Sequence, residues 1–563
     1  MRVLYTIVVH VIVMLFSLLL PSCLEEIGGG TIVSPADKPG GADTAMSYFS
    51  MQITSGEAGS LTRAEVAGTP GEQMIENIYV LLFSTNNTGA NLRYCFRLQA
   101  SSNGSSLITG NDVLDAFEDY GGPTSSSFRT KAKRIKTAEY RLLVVANPKG
   151  EMLTKLNDFA RDYPGGITDE DYGSEDIYMM LATYTSKIYK EEQDSFFDPA
   201  DASFAAPHSF TMTNANGIIT LPKARLKATA DDAENAPIYV SVDRVVSKVM
   251  VKKAASFTLS KGEFLGDNPV VWAPVVTNKV TFLMRELTHL SDPLNTANHY
   301  RSSSVESPAD GIGTGLPSRK NIYAKDPNFS FEYLSTPYNF SDTDPAASAM
   351  YAWNTPAATG NNTADHIAYI LENTNTLARQ AHADWKNYTT QVLIYAYIIN
   401  PGGLTATNYY SFKTTADPSV AKVFTHEQAI DWVRSGSFPA DMAGLKEAIA
   451  ADTALGDEKQ FDFSAGTTAT GGFRSSQGIT YHAGGLNKYR IPLKHFVIEG
   501  VDNPRVNQYG YYGVVRNNLY TVTIGSITGP GDGLLNNYIS GHITINPWWV
   551  RDPQEADLVY EEF

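Results

Sequence analysis

The side chains that could carry chemistry in this 563-residue chain are thinly spread and poorly spaced for it. Its ten histidines are scattered, and none forms a His-Glu-x-x-His motif or a close His/Cys ligand pair. His426-Glu427 falls where a helix is expected but lacks a second histidine one turn on, so it reads as a solvated helix face. Ser419-Val-Ala-Lys422 has the spacing at which a lysine can activate a serine nucleophile. That chemistry also needs Ser-Asp-Asn and Lys-Thr-Gly partners, and Lys413-Thr-Thr415 is the nearest miss. Gly311-Ile-Gly-Thr-Gly315 has the glycines of a phosphate loop, yet it follows Ser-Pro-Ala-Asp rather than a strand and lacks Gly-Lys-Ser/Thr. Asp342-Thr-Asp344-Pro345 lacks calcium-loop spacing. The basic run Lys131-Ala-Lys-Arg-Ile-Lys136 reads as a solvated turn ahead of a strand. No catalytic residue, metal site or cofactor is expected, and the chain is not read as an enzyme.

The elements that would position any site are mostly strands. Tyrosine (31), phenylalanine (25) and glycine (44) are plentiful, which favours strands and turns over helical bundles. Strands are expected over 75–83, 140–146, 238–251, 280–283, 390–399, 489–498, 519–527 and 537–550. Leu142-Leu-Val-Val145 is a continuous apolar run, as in a strand buried on both faces. Helix signals are few: 153–159, parts of 175–190, 425–433 with Thr425 as N-cap, and 442–450. The polar stretches 301–365 and 451–480 read as loops or excursions. A chain of this length exceeds one core, and a boundary is expected near 255–265. The net charge of −16 and pI near 5.1 lack the basic footprint that a nucleic acid requires.

More specific signals lie at the two ends. After Arg2, an apolar run from Val3 to Leu20 leads to Pro21-Ser22-Cys23, which resembles the lipobox of bacterial lipoproteins. A plain membrane anchor is the alternative, since the run could just span a bilayer. The lipobox resemblance makes 1–22 a signal peptide and Cys23 the acylated (palmitate-bearing) N-terminus. Cys95 is then the one thiol left in the body, without a disulfide partner, and a buried inert role is expected for it. Residues 24–45 have the composition of a flexible tether. Phe49, Met51 and Ile53 alternate along a short strand, and Arg63-Ala64 beyond it is open to a trypsin-like protease. At the other end, Leu535, Ile539, Ile543, Ile545 and Trp549 share one parity. Asn536, Tyr538, Ser540, His542, Thr544 and Asn546 take the other, with gaps in the apolar row at Asn537, Gly541 and Pro547. Gly529-Pro-Gly-Asp-Gly533 precedes this strand as either a hinge or a tight hairpin.

Several motifs in sequence order carry a family resemblance. They are the strand from Tyr140 that ends Ala-Asn-Pro148, Val242-Asp-Arg244-Val-Val-Ser-Lys248-Val249, Tyr489-Arg-Ile-Pro-Leu-Lys-His495-Phe496, and Gly513-Val-Val-Arg516-Asn517-Asn518-Leu-Tyr520 through Ile527. With the closing His542-Ile-Thr-Ile-Asn-Pro547-Trp548 stretch, the chain resembles the Bacteroidales-type fimbrillins, the subunits of type V pili. It looks most like their minor fimbrial shaft subunit, while 285–480 matches only loosely. The resemblance implies a mainly β fold: two β-sandwich (transthyretin-like) domains with helical and loop insertions, and a C-terminal donor strand. Its segments would be the signal peptide 1–22, a propeptide 23–63 with a removable strand, an N-terminal domain 64–258, a C-terminal domain 259–533 and a donor tail 534–563.

It further implies a lipoprotein precursor, transiently anchored in the outer membrane, that an arginine-specific protease cuts between Arg63 and Ala64. Loss of the strand bearing Phe49, Met51 and Ile53 would open a groove for a neighbour's tail, building a cell-surface fimbrium that supports adhesion and biofilm formation. Five large apolar side chains entering that groove would contribute on the order of 7–15 kcal/mol gross, against three that leave. The partners implied are other copies of the chain, accessory tip and anchor proteins, the protease, and host or bacterial surface receptors. The C-terminal strand could instead complete the chain's own sheet. The chain could also be a tip or anchor protein, or a monomeric glycan-binding lipoprotein stacking sugars on Tyr409, Tyr410 and Phe412.

Overall fold

The computed structural model describes residues 45–54, 70–84, 92–99, 118–119, 127–163, 165–166, 196–200, 207–215, 218–278, 281–283, 286–289, 322–325, 347–353, 366–373, 388–413, 421–442, 444–451, 473–474, 478–494, 513–531 and 539–547. The signal peptide, Cys23, Arg63, Ala64, Leu535, Trp549, the helix expected within 175–190 and most of 301–365 and 451–480 lie outside them. The described architecture is mainly β, as expected.

The first core forms around β1 (Met46–Phe49), β2 (Met51–Thr54), β3 (Asn77–Ser84), β4 (Leu92–Gln99), β5 (Ser127–Arg129), β6 (Lys133–Lys136), β7 (Tyr140–Ala146), β8 (Met212–Asn214) and β9 (Ile238–Arg244). They run in the order β4-β3-β7-β8-β9-β2-β5, while β1 pairs with β6. The run Leu142–Val145 is buried, as a central strand with two covered faces must be. The amphipathic helix α1 (Gly150–Asp162) lays Met152 and Leu156 on this core. The Ala-Asn-Pro ending has a physical reason. Asn147 takes a left-handed conformation (φ 48°), which asparagine tolerates better than most residues. Its Oδ1 accepts from Glu76 N at 2.8 Å, and its Nδ2 donates to Met74 O at 2.7 Å.

The remaining principal strands are β10 (Val246–Leu259), β11 (Val270–Val275), β12 (Ala368–Leu371), β13 (Gln391–Ile399), β14 (Tyr409–Lys413), β15 (Ala421–Phe424), β16 (Ile479–His482), β17 (Leu486–Pro492), β18 (Asn518–Ile527) and β19 (Ile539–Pro547). One sheet runs β12-β10-β18-β19, and a second centres on β13 between β11 and β17. Val249, Val251, Tyr520 and Val522 from the first meet Trp272, Val392, Ile394 and Tyr489 from the second in one core, a sandwich. Between β13 and β17 an inserted α/β unit carries β14–β16, α2 (His426–Ser435), α3 (Leu445–Ala451) and its own core. Thr425 caps α2 as expected: its Oγ1 accepts from Gln428 N at 3.2 Å, and its N donates to Gln428 Oε1 at 2.9 Å.

Five expectations are corrected. The strand expected over 238–251 is two strands that part at Val245. Residues up to Arg244 pair in the first sheet, and from Val246 they pair in the second. The change of core therefore falls at Val246–Val249, ahead of the expected 255–265, and β10 runs unbroken to Leu259. Residues 281–283 are not a strand, because the carbonyls of Phe282 and Leu283 serve a guanidinium instead of a ladder. Lys131–Lys136 is not a solvated turn: Lys133–Lys136 is β6, with Ile135 in the core and Lys133 stacked 5.6 Å over the Phe96 ring. Tyr409, Tyr410 and Phe412 are buried in β14 and offer no sugar platform.

Candidate strand-exchange site

The N-terminal strand pair occupies a slot. Phe49, Met51 and Ile53 are each 0–1% exposed and belong to the first core. β2 lies between β9, to which it is parallel, and β5, to which it is antiparallel. Its backbone is bonded on both sides. Thr130 N donates to Met51 O at 2.8 Å, and Ile238 N donates to Ser50 O at 2.8 Å. Ahead of this, β1 leaves the slot to pair with β6, and Tyr48 exchanges backbone bonds of 2.8 Å with Lys227. Withdrawal of β1–β2 would leave the ladder groups of β5, β6 and β9 open above an apolar floor.

The C-terminal strand sits on the chain's own sheet. β19 pairs antiparallel with β18 from Ile527↔Ile539 to Asn518↔Pro547, and it has no further neighbour among the described residues. This is the own-sheet arrangement that the sequence leaves open. Of the Gly529–Gly533 link, which the sequence reads as either a hinge or a tight hairpin, the described part 529–531 is bonded to β17 through Gly529 and Gly531.

Between the slot and the tail lies a buried polar joint, built from residues whose motifs are visible in the sequence but whose role is not. Glu72, in the helical turn Pro70–Gln73, is 1% exposed; its carboxylate pairs with Lys248 and accepts from Tyr369 OH at 2.8 Å. Burial, and next the Glu72 charge, push the Tyr369 hydroxyl pKa well above its ordinary value. Arg244 Nε donates to Glu72 O at 2.7 Å and Nη1 to Asn517 Oδ1 at 3.0 Å, while Asn517 Nδ2 donates to Asp243 Oδ1 at 2.8 Å. Arg516 and Glu372 are both fully buried and paired at 3.3 Å, and the guanidinium also donates to Thr281 Oγ1, Phe282 O and Leu283 O. The signal is present as single charges inside apolar strand runs, Val-Asp-Arg-Val-Val and Val-Val-Arg-Asn-Asn. These pairs tie the first core to β10, β12 and the turn before β18.

Cys95 is buried and forms no disulfide, and burial pushes its thiol up to about 12. Among the described residues no group of three or more His, Cys, Asp or Glu could hold a metal ion.

Residues 47–236, from β1 to just before β9, match the family described as Major fimbrial subunit protein (FimA). Residues 480–554, covering β16 to β19, match the family described as Major fimbrial subunit protein type IV, Fimbrillin, C-terminal. No curated protein matches the chain. Among solved structures, a cell adhesion protein from Parabacteroides distasonis ATCC 8503 is 11% identical with a TM-score of 0.36, over 89% of this chain and 99% of that one. The tip fimbrial protein Mfa3 from Porphyromonas gingivalis, with C-terminal truncation, is 11% identical with a TM-score of 0.32, over 90% and 100% of the respective chains. In both matched regions, one holding the slot and the other the C-terminal strand, this chain is similar in sequence to fimbrial subunit proteins.

Proposed function

We propose that the chain is a structural shaft subunit of a surface fimbrium. It is exported as a lipoprotein precursor acylated at Cys23, cut between Arg63 and Ala64, and polymerised when its C-terminal strand fills the slot that β1–β2 vacates in the next copy. The observation that carries this reading is the seat of β2. This strand, inserted parallel to β9 in an otherwise antiparallel sheet, can be cut away from the rest of the chain at one bond, yet it completes the core. The tail supplies the matching chemistry, a period-two strand with Ile539, Ile543 and Ile545 on one parity. In this scheme 23–63 is the propeptide, transiently outer-membrane bound, and 534–563 is the donated tail. An arginine-specific protease, accessory tip and anchor proteins, and surface receptors are its partners.

N-terminal sequencing of the surface-extracted protein, run beside unheated electrophoresis, tests this. A start at Ala64 together with a ladder of polymers is expected, and Arg63→Ala should stay lipidated and monomeric. A start at acylated Cys23 in the wild type would point to an anchor protein instead, and efficient polymerisation by Arg63→Ala would sink the reading.

A further inference from the structure

The link between β18 and β19 is longer than its ladder requires. Ile527 and Ile539 are paired, and antiparallel neighbours are commonly joined by about 2–5 residues, yet the chain spends 528–538 on the connection. The excess takes it to the other sheet of the sandwich. Tyr489 OH donates to Gly529 O at 2.7 Å, Gly531 N donates to Asn487 Oδ1 at 3.0 Å, and Lys488 N donates to Gly531 O at 3.2 Å. Asn487 is itself fixed: fully buried, its Nδ2 donates to Tyr409 OH and to Gly485 O, both at 2.8 Å. Gly531 lies so close to β17 that a Cβ would stand 2.4 Å from Lys488 O and 2.7 Å from the Tyr489 ring. Only glycine fits there without movement.

We propose that Gly529–Gly531 is a fixed pivot, held on β17 by Asn487, Lys488 and Tyr489 wherever the tail is paired, so that the mobile unit of strand donation begins at Asp532. This rests on the strand-exchange reading above and deepens it. The occupant of the far end is a second copy of this chain. Because β17 belongs to the sheet facing β18, the clamp shares no bond with the β18–β19 ladder, and releasing β19 costs it nothing. A pivot at Gly531 also limits reach. The stretch 532–538 spans roughly 25 Å when fully extended, so the receiving slot must open within that distance of Gly531. Asn487, Tyr489 and Gly531 are thus positioning residues, acting through where they start the tail.

Native-state hydrogen exchange on the full chain, read residue by residue, tests the pivot without any polymer. The ladder amides of Ile539–Asn546 should exchange at least tenfold faster than the amides of Lys488 and Gly531. Equal rates, which would mean that the clamp and the tail open as one unit, overturn the proposal. Gly531→Ala should speed exchange at Lys488 tenfold or more and leave Val522 within threefold of wild type; unchanged protection at Lys488 would also overturn it. Should Gly531→Ala fail to fold, Tyr489→Phe keeps the ring and removes the hydroxyl that bonds Gly529 O; it should speed exchange at Gly531 severalfold, with no change counting against the pivot. Failure of strand donation itself shows separately, as an absent ladder from a chain whose exchange pattern is as expected.

Discussion

At the scale of single residues, burial decides what the ionisable groups can do. Cys95 packs beside α1 with its thiol against Leu156 O at 3.8 Å, and desolvation raises its pKa from 9.0 to about 12. At pH 8 this leaves about a thousandfold less thiolate than an ordinary cysteine would have, so a water-soluble thiol reagent should label it only after denaturation. Its folded pKa exceeds the unfolded one, so this group's contribution to stability is intact below pH 9 and is lost as pH climbs towards 12. Cys95→Ala should flatten that alkaline decline in a series of denaturant midpoints. Arg516 poses the opposite case, a full charge kept inside the core, held by Glu372 and three further acceptors. Arg516→Ala leaves the Glu372 carboxylate buried without its cation and should cost about 3–5 kcal/mol in unfolding free energy. A loss under about 1 kcal/mol would mean that water enters the joint.

At the scale of elements, what the sequence makes legible is what depends on local pattern. Tyr140–Ala146 has the observed bounds because its apolar run and its Asn-Pro terminator are both local, and the Thr425/Gln428 box marks the start of α2 for the same reason. The break at Val245 shows in the sequence only as a change of parity, from Ile238, Val240 and Val242 to Val249 and Val251, which is easily passed over in a continuous β-branched run; the partners on either side differ. β6 looks like a turn because four residues in its neighbourhood are basic, whereas its face is set by Ile135 packing and by Lys133 lying over Phe96. The slot is legible as three alternating apolar residues, but its depth comes from sheet order, which no local pattern encodes. That depth gives a discriminating test. Ile53→Ala should destabilise the uncut precursor by about 2–5 kcal/mol, the usual cost of a core truncation. The same substitution should leave the polymerised mature protein untouched, because the residue is gone. The register of β18 with β19 offers a second test. Thr521→Cys with Thr544→Cys places thiols on directly opposed residues, and oxidation should lock the tail at home. The oxidised subunit should remain monomeric and reductant should restore the ladder; polymerisation of the locked form would assign donation to another segment.

At the scale of the whole molecule, the two strands proposed to exchange lie at opposite ends of one chain and are separated by a body held through buried charge. Glu72 comes after the proposed cut site and is fastened to Lys248 and Tyr369, so the chain downstream of Arg63 stays anchored when β1–β2 leaves. In the proposed exchange, the emptied slot would keep a defined shape and a vacant ladder on β9 and β5, as a receptor for an extended peptide needs. Residues 64–563 carry 41 basic against 55 acidic side chains, so copies repel at long range and approach needs the directed burial that a fitted strand provides. A synthetic peptide covering residues 535–549 should therefore bind the trimmed subunit in trans. Linkage sets the size of the effect: at a free peptide concentration about a hundred times its Kd, the folded state gains about 2.7 kcal/mol, and Tm rises with peptide concentration. The uncut precursor should show no shift, because β2 already fills the slot. Replacing Ile543 and Ile545 of the peptide with Asp should abolish binding, as their parity must face the apolar floor. A peptide that stabilises precursor and trimmed subunit alike would place its site outside the slot, and one that stabilises neither would remove the C-terminal strand from the assembly step.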